Sequence, residues 1–143
     1  MSKEIEISIV KEADAGQILE LYRHQGWWQK DENPQDLETV KGIVANSFCF
    51  AIAKQGERII GMGRCISDGF SDAYIQDVVV HSDFRGQGIG AKIMKKLMEH
   101  LHTHKIQWIG LISEPGQEEF YVKLGFSQMK NYTPMLLDMP KEK

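Results

Sequence analysis

A short segment past the middle of the chain, Arg85 to Gly90, has the residue types needed to hold a phosphate group. Glycines stand at every second position, Gly86, Gly88 and Gly90, just before an amphipathic helix pattern. The first N–H groups of a helix lack partners within the helix and carry the positive end of its dipole. Glycine lets the backbone turn tightly and places no Cβ between those groups and an anion. The segment therefore predicts an anion-binding turn, with the Arg85 guanidinium adding charge at its rim.

Three other turns could contain the same glycines. A Walker A loop ends in Gly-Lys-Ser or Gly-Lys-Thr, which the sequence Gly90-Ala91-Lys92-Ile93 does not supply. Residues 86–91 fit the letters of a dinucleotide fingerprint, but the chain lacks an acidic residue about 20 positions later and repeated βαβ units. A plain strand-to-helix turn needs only the glycines, and it stays open at this point.

The elements around the turn follow from hydrophobic periodicity. The strand Ala73 to Val80 precedes it, and its Val78-Val79-Val80 end is apolar on both faces, which is typical of a strand covered on both sides. A helix from Ile89 to Leu101 follows with apolar residues at helical spacing. Upstream, the patterns predict strands at 5–9, 48–53 and 59–66 and helices opened by Asp14 and Pro34. Downstream, we expect the strand Ile106–Ile112, a short helix with Pro115 in its first turn, and final strands at Phe126–Met129 and Thr133–Met139.

Composition limits the class of protein. The chain has 143 residues, of which 42% are hydrophobic and 26% charged, with a formal net charge of −3. This is ordinary globular composition for a single domain covering residues 1–143. A general nucleic-acid binder would carry a basic excess, and a membrane span needs an apolar run of about 20 residues, so neither partner is expected. The N-terminus lacks a signal-peptide core, so we expect a cytoplasmic protein.

The cysteines and histidines predict no metal site. Cys49 and Cys65 lie in apolar strand patterns without metal-ligand spacing, which is typical of reduced core thiols. The histidines show no HExxH pattern, and three of the five cluster near the predicted end of the long helix. Cations favour that end of a helix dipole, so a solvated last turn explains them.

One carboxylate stands out in the strand before the turn. Asp77 lies between Ile75 and the three valines, where an unpaired buried charge would be costly. It must therefore be exposed at a cleft or paired, with Arg64 on the neighbouring strand or Gln76 as the partner. Both interpretations stay open from the residues alone.

Two motifs resemble the signatures of the GNAT superfamily of N-acetyltransferases. Arg85-Gly86-Gln87-Gly88-Ile89-Gly90 matches Q/R-x-x-G-x-G/A and follows an apolar strand and short loop, as in that family. About 30 residues on, Glu119 to Phe126 contains an aromatic pair followed by Lys-x-Gly-Phe, which resembles the second signature. The resemblance implies an α/β fold of the acyl-CoA N-acyltransferase type. Its central mixed, mostly antiparallel sheet would be splayed between two parallel strands and flanked by helices.

The resemblance also implies how a donor would bind and react. Acetyl-CoA would enter the opening between the strands 73–80 and 106–112, with its pyrophosphate on the N–H groups of Arg85, Gly86, Gln87, Gly88, Ile89 and Gly90. Its pantetheine would pair with the backbone around Val78 and Val80, where family members often carry a bulge. The Val79 or Val80 N–H would stabilise the thioester oxygen, and Tyr121 matches the general acid that protonates the leaving thiolate. No metal is implied.

Acceptor residues are expected in the regions that vary within the family. Asp77 would hold or deprotonate the amine, with Glu119 and His81 as weaker candidates for the base. Trp27 and Trp28, next to Asp31 and Glu32, would suit a cationic amine, or both could simply pack on the core. The residues expected to complete the pocket are Phe70, Asp72 and Tyr74.

The leading hypothesis is therefore acetyl-CoA-dependent N-acetylation of a small-molecule primary amine by direct transfer in a ternary complex. A peptide or protein acceptor is the second enzyme hypothesis, and a non-catalytic CoA-binding sensor is the third. Family members often form dimers, and the final strand from Pro134 to Met139 could pair two subunits. The acceptor's identity and the length of the acyl group stay open.

Overall fold

The computed structural model of the chain describes residues 4–28 and 33–139. The chain forms two compact units, of which the first ends at Leu111 and the second begins at Ile112. Among the described residues, the first unit contains a five-stranded sheet, three α-helices and a short 3-10 helix at Ser82–Phe84, and the second contains one short α-helix.

The sheet of the first unit has the strand order β1-β2-β3-β4-β5. Neighbouring strands are antiparallel except for β4 and β5, which are parallel. The predicted mixed, mostly antiparallel sheet flanked by helices is thus confirmed. The elements of this unit are β1 (Ile5–Ile9), α1 (Ala15–His24), α2 (Pro34–Asn46), β2 (Cys49–Gln55), β3 (Arg58–Ser67), β4 (Asp72–Val80), α3 (Ile89–Thr103) and β5 (Trp108–Leu111).

The first two helices begin at the predicted signals. The Asp14 carboxylate accepts a hydrogen bond from the Gln17 N–H at 3.2 Å, which caps α1. The Asn33 side chain caps α2 in the same way, and Pro34 occupies its first turn. Within the described ranges, no helix has the length and apolar character needed to cross a membrane.

Helices cover both faces of the sheet. On one face, Phe50, Ile52, Met62 and Val79 belong to a buried cluster with α1 and α2. On the other face α3 approaches β3 at its two glycines, where an added Cβ would lie 3.0 Å and 2.9 Å from the Ile93 side chain. Glycine at these two positions lets the helix pack closely against the strand. Both cysteines are buried free thiols, and they are paired in register across β2 and β3.

The second unit differs from the sequence predictions. Its helix, α4 (Glu118–Val122), begins after Pro115 rather than around it. The final strands expected at 126–129 and 133–139 are absent, so that prediction was wrong. A strand forms only where a neighbour accepts its backbone hydrogen bonds, and an apolar run does not by itself supply that neighbour. Pro134 also lacks an N–H donor, and Leu136 is 94% exposed.

Candidate active site

The predicted anion-binding turn lies between β4 and the N-terminus of α3. Gly86 and Gly88 both have φ near +79°, and a Cβ added at either would meet no atom within 4 Å. Gly88 is the N-cap of α3 and makes no side-chain hydrogen bond to the first helical turn. The first N–H groups of this 15-residue helix are therefore left to other partners, beside open space. A phosphate or pyrophosphate suits such a site.

The strand leading to the turn carries a β-bulge. The register of β4 against β3 shifts between Met62 and Arg64, so that Asp77 and Val78 together face Gly63. Asp77 has φ of 57°, in the left-handed region that non-glycine residues rarely adopt. Such a conformation costs about 1–2 kcal/mol and persists only where contacts hold it. The bulge implied by the family resemblance is present.

Beyond the bulge, the outer edge of β4 has no strand beside it. β5 pairs with β4 only from Asp72 to Ile75, whereas β4 continues to Val80. No other strand among the described residues pairs with that edge. Where β4 extends past the end of β5, its outer backbone groups are free to pair with an extended ligand. The free edge runs directly toward the glycine turn.

The Asp77 carboxylate is held by two donors. Its Oδ2 accepts hydrogen bonds from the Tyr22 hydroxyl and the Arg64 Nε, each at 2.7 Å. The structure thus shows Asp77 paired with Arg64, which is one of the two interpretations left open by the sequence. Tyr22 of α1 is a second partner that was not predicted. Burial and the Asp77 charge both raise the pKa of Tyr22 far above its usual value. Through these contacts α1 and β3 hold the strained residue in place.

This network predicts a pH-dependent contribution to stability. The raised pKa of Tyr22 means that its hydroxyl stabilises the fold fully below about pH 10, the unfolded value, and less as the pH rises above it. Tyr22→Phe should cost about 1–2 kcal/mol at pH 7, because it removes a hydrogen bond to a charged group. The difference from wild type should shrink between about pH 9 and 11. Urea unfolding across this range measures it.

Tyr132→Phe is the control for that series, because Tyr132 is 72% exposed. Its stability should match wild type at every pH. A Tyr22→Phe deficit that stays constant with pH would show that the hydroxyl is not coupled to the Asp77 charge.

The Arg85 side chain reaches α1 rather than the open space at the glycines. Its Nε donates to the Val80 carbonyl at 3.0 Å, and its Nη2 donates to Gln25 Oε1 at 2.9 Å. One residue earlier, the His24 ring stacks on His81 with ring centroids 4.2 Å apart. The end of α1 is thereby fixed to both ends of the segment before the turn. Sequence reasoning missed these contacts, since residues about 60 positions apart carry no local signal of their pairing.

The predicted acceptor residues fall into two groups. Trp28 stacks on Tyr22 at 4.6 Å between ring centroids, and both Trp27 and Trp28 are partly buried against the core. Both tryptophans therefore pack on the core, which is the second of the two alternatives left open by the sequence. The second group, Phe70, Asp72 and Tyr74, is exposed on and just before β4. Asp31 and Glu32 lie outside the described residues.

Tyr121 belongs to α4 in the second unit. Its ring contacts Phe120 edge to face at 4.9 Å between centroids, and its carbonyl accepts the Phe126 N–H at 3.1 Å. Burial raises the pKa of Tyr121, and the nearby Glu114 charge raises it further. The phenol is therefore protonated throughout the neutral range, as a proton donor must be.

Known proteins resemble this chain in sequence and in fold. The family model described as Acetyltransferase (GNAT) family matches residues 15–126. An uncharacterized N-acetyltransferase, ycf52, from Porphyra purpurea is 31% identical over 128 residues, covering 87% of this chain and 71% of that protein. Histone acetyltransferase TAP1 from Glycine max is 40% identical over 70 residues, covering 49% of this chain and 30% of that protein.

A solved structure agrees with these matches. A GNAT family acetyltransferase from Streptococcus pneumoniae TIGR4 superposes with a TM-score of 0.79 at 25% identity, covering 96% of this chain and all of that one. The residues that the family model matches, 15–126, include the bulged strand, its free edge and the glycine turn. The chain belongs to the GNAT family of acetyltransferases.

Proposed function

We propose that this protein transfers the acetyl group of acetyl-CoA to the primary amine of a small molecule. One observation carries the proposal most directly: the free edge of β4 leads from the bulge at Asp77 into the uncapped N-terminus of α3. Coenzyme A has a flexible arm with two amides next to a pyrophosphate. A strand edge followed by an anion site fits those two parts in that order.

The residues present suit the donor without rearranging the turn. A Cβ added at Gly86 or Gly88 would have no atom of the described residues within 4 Å, which leaves open space beside the helix N-terminus in this part of the chain. The backbone N–H groups from Arg85 to Gly90 would hold the pyrophosphate. The β4 backbone around Val78 and Val80 would pair with the pantetheine amides.

The transfer itself needs a neutral amine, an oxyanion donor and an acid. The amine nitrogen attacks the thioester carbonyl carbon, and the C–N bond forms while the C–S bond breaks. The Val79 or Val80 N–H stabilises the oxygen as charge develops on it. The leaving thiolate takes a proton from the Tyr121 phenol, whose raised pKa keeps it protonated.

Asp77 is the proposed amine-binding residue or base. Both of its hydrogen bonds go to Oδ2, and Oδ1 has no partner among the described residues. A carboxylate held on one oxygen and free on the other can receive an ammonium group or its proton. Arg64 and Tyr22 would then orient that carboxylate.

A peptide or protein acceptor is the alternative within the same chemistry. It is supported by the name of one relative, a histone acetyltransferase, over about half of this chain. The exposed side chains on β4 are compatible with either kind of acceptor. The cytoplasmic location and the homodimer expected from the sequence also stay predictions.

A thiol-release screen with acetyl-CoA tests the proposal. The panel should contain polyamines, aralkylamines, aminoglycosides, amino acids and lysine-containing peptides. We expect thiol release with at least one small amine at a kcat/KM well above that of any peptide. Release with peptides alone would transfer the proposal to a protein acceptor. Coenzyme A binding by calorimetry without release for any acceptor would indicate a sensor.

A further inference from the structure

Two exposed aromatic rings lie side by side where β4 and β5 are paired. The Tyr74 and Trp108 ring centroids are 5.1 Å apart, and the residues are 46% and 38% exposed. Asp72 is paired in register with Trp108, and it lies two residues before Tyr74. Side chains two residues apart on one strand lie on the same face of the sheet, and so do the side chains of residues paired in register on neighbouring strands. We call Asp72, Tyr74 and Trp108 the aromatic corner.

A glycine gives Trp108 its position. A Cβ added at Gly110 would lie 2.6 Å from Cη2 and 2.7 Å from Cζ3 of Trp108. The indole therefore lies over Gly110, where any side chain would displace it. The two aromatic rings form a surface that is fixed in place yet open to solvent. An exposed apolar surface built in this way is a feature of ligand-binding sites rather than of a core.

The charge at this surface favours a cation. The Asp72 carboxylate makes no ion pair or hydrogen bond with another described residue, and the Ser67 hydroxyl donates to the Asp72 backbone carbonyl at 2.7 Å. Asp68, in the loop before β4, adds a second carboxylate nearby in sequence. Tryptophan and tyrosine rings attract ammonium groups through their faces, and a neighbouring carboxylate strengthens that attraction.

We propose that the aromatic corner binds a second ammonium group of the acceptor, remote from the amine that is acetylated. This rests on the proposed function, which puts the reacting amine near the bulge. A strand rises about 3.3 Å per residue, so Tyr74 lies about 10–13 Å from Asp77 and Val78. The favoured acceptor is therefore a long-chain diamine, with a length close to that of extended diaminooctane.

Trp108 was not among the residues predicted from the sequence to contact the acceptor. The only local signal is the alternation of tryptophan and glycine at positions 108 and 110 of a strand. Its meaning depends on Tyr74, which is brought beside it by the parallel pairing of β4 and β5.

Steady-state thiol release with the full chain tests the proposal. The acceptors are α,ω-diaminoalkanes from propane to decane, and the matched n-alkylamines lack the second charge. We expect kcat/KM to be greatest near diaminooctane and about tenfold above that of octylamine. Trp108→Ala should lower kcat/KM for diaminooctane about tenfold, through a higher KM for the diamine. The same variant should change kcat/KM for octylamine, and the KM for acetyl-CoA, by less than about twofold.

Two further variants separate the indole's position from its presence. Gly110→Ala should reduce diaminooctane selectivity as Trp108→Ala does, and the double variant should be no worse than Trp108→Ala alone. Trp108→Phe should retain part of the selectivity. Leu37→Ala is the matched control, because Leu37 of α2 is a large apolar residue of similar exposure, 40%.

The outcomes keep this proposal separate from the proposed function. Acetylation of other amines with no preference for diamines over monoamines would overturn the aromatic corner and leave the acetyltransferase intact. Equal losses of kcat/KM for diaminooctane and octylamine in Trp108→Ala would also overturn the proposed role of the aromatic corner. If Gly110→Ala does not fold, the two Trp108 variants decide the question. Failure of every acceptor, diamines included, would instead count against the proposed function.

Discussion

Gly88→Trp should weaken acetyl-CoA binding by at least about 100-fold. Gly88 has φ of +79°, a conformation that costs an L-residue about 1–2 kcal/mol. More importantly, the indole would fill the open space beside the first N–H groups of α3, which the proposed pyrophosphate site requires. A loss of the anion's hydrogen bonds and of the dipole contribution together accounts for about 3 kcal/mol. Titration calorimetry with acetyl-CoA measures the affinity.

Backbone strain alone could also weaken binding, so the experiment needs a glycine of similar conformation elsewhere. Gly56, in the β2–β3 turn, has φ of 62° and is exposed. Gly56→Trp should lose some stability but bind acetyl-CoA within about twofold of wild type. Equal affinities for wild type and Gly88→Trp would remove the turn from the proposed donor site.

The turn could be predicted because its signals are local. The alternating glycines, the helix that follows and the apolar strand before it all lie within about 30 consecutive residues. The side chains of Asp14 and Asn33 cap their helices by accepting N–H groups at most three residues further along the chain. The signals for both helix starts are therefore local in the sequence. The mixed sheet, by contrast, was expected from the family resemblance and not from these local signals.

The bulge and its support from Tyr22 are not local and could not be predicted from the residues. A bulge is an extra residue in one strand relative to its partner, so the sequence of either strand by itself does not indicate it. The Asp77 hydrogen bond from Tyr22 joins residues 55 positions apart. Tyr22 fits the apolar face of α1 in the helical pattern, and nothing in that pattern distinguishes a packed ring from one whose hydroxyl holds a carboxylate.

The missing final strands illustrate the opposite error. The pattern from Thr133 to Met139 has the apolar composition of a strand, yet the segment is exposed and unpaired among the described residues. Composition indicates that a segment could join a sheet, whereas strand formation depends on a partner edge. β5 covers Trp108–Leu111 and is shorter than the predicted 106–112, and its first residue is paired with Asp72, where β4 begins.

Tyr121→Phe should lower kcat by about 100-fold while leaving the affinity for acetyl-CoA within about threefold of wild type. General acid catalysis contributes about 10²–10⁴-fold, and phenylalanine keeps the ring but removes the proton. The raised pKa of Tyr121 keeps the phenol protonated at neutral pH, so in the proposed role it donates its proton to the thiolate as the C–S bond breaks. Single-turnover kinetics with saturating acetyl-CoA separate this step from product release.

The pH dependence and a second tyrosine distinguish catalysis from packing. Because the pKa of Tyr121 is raised above about 10, the wild-type rate should not fall through loss of this proton below that pH. Tyr132→Phe removes a hydroxyl from a tyrosine of the same unit that is 72% exposed, and it should keep wild-type kcat. Similar kcat values for Tyr121→Phe and wild type would exclude the phenol as the acid, since nothing else distinguishes the two side chains.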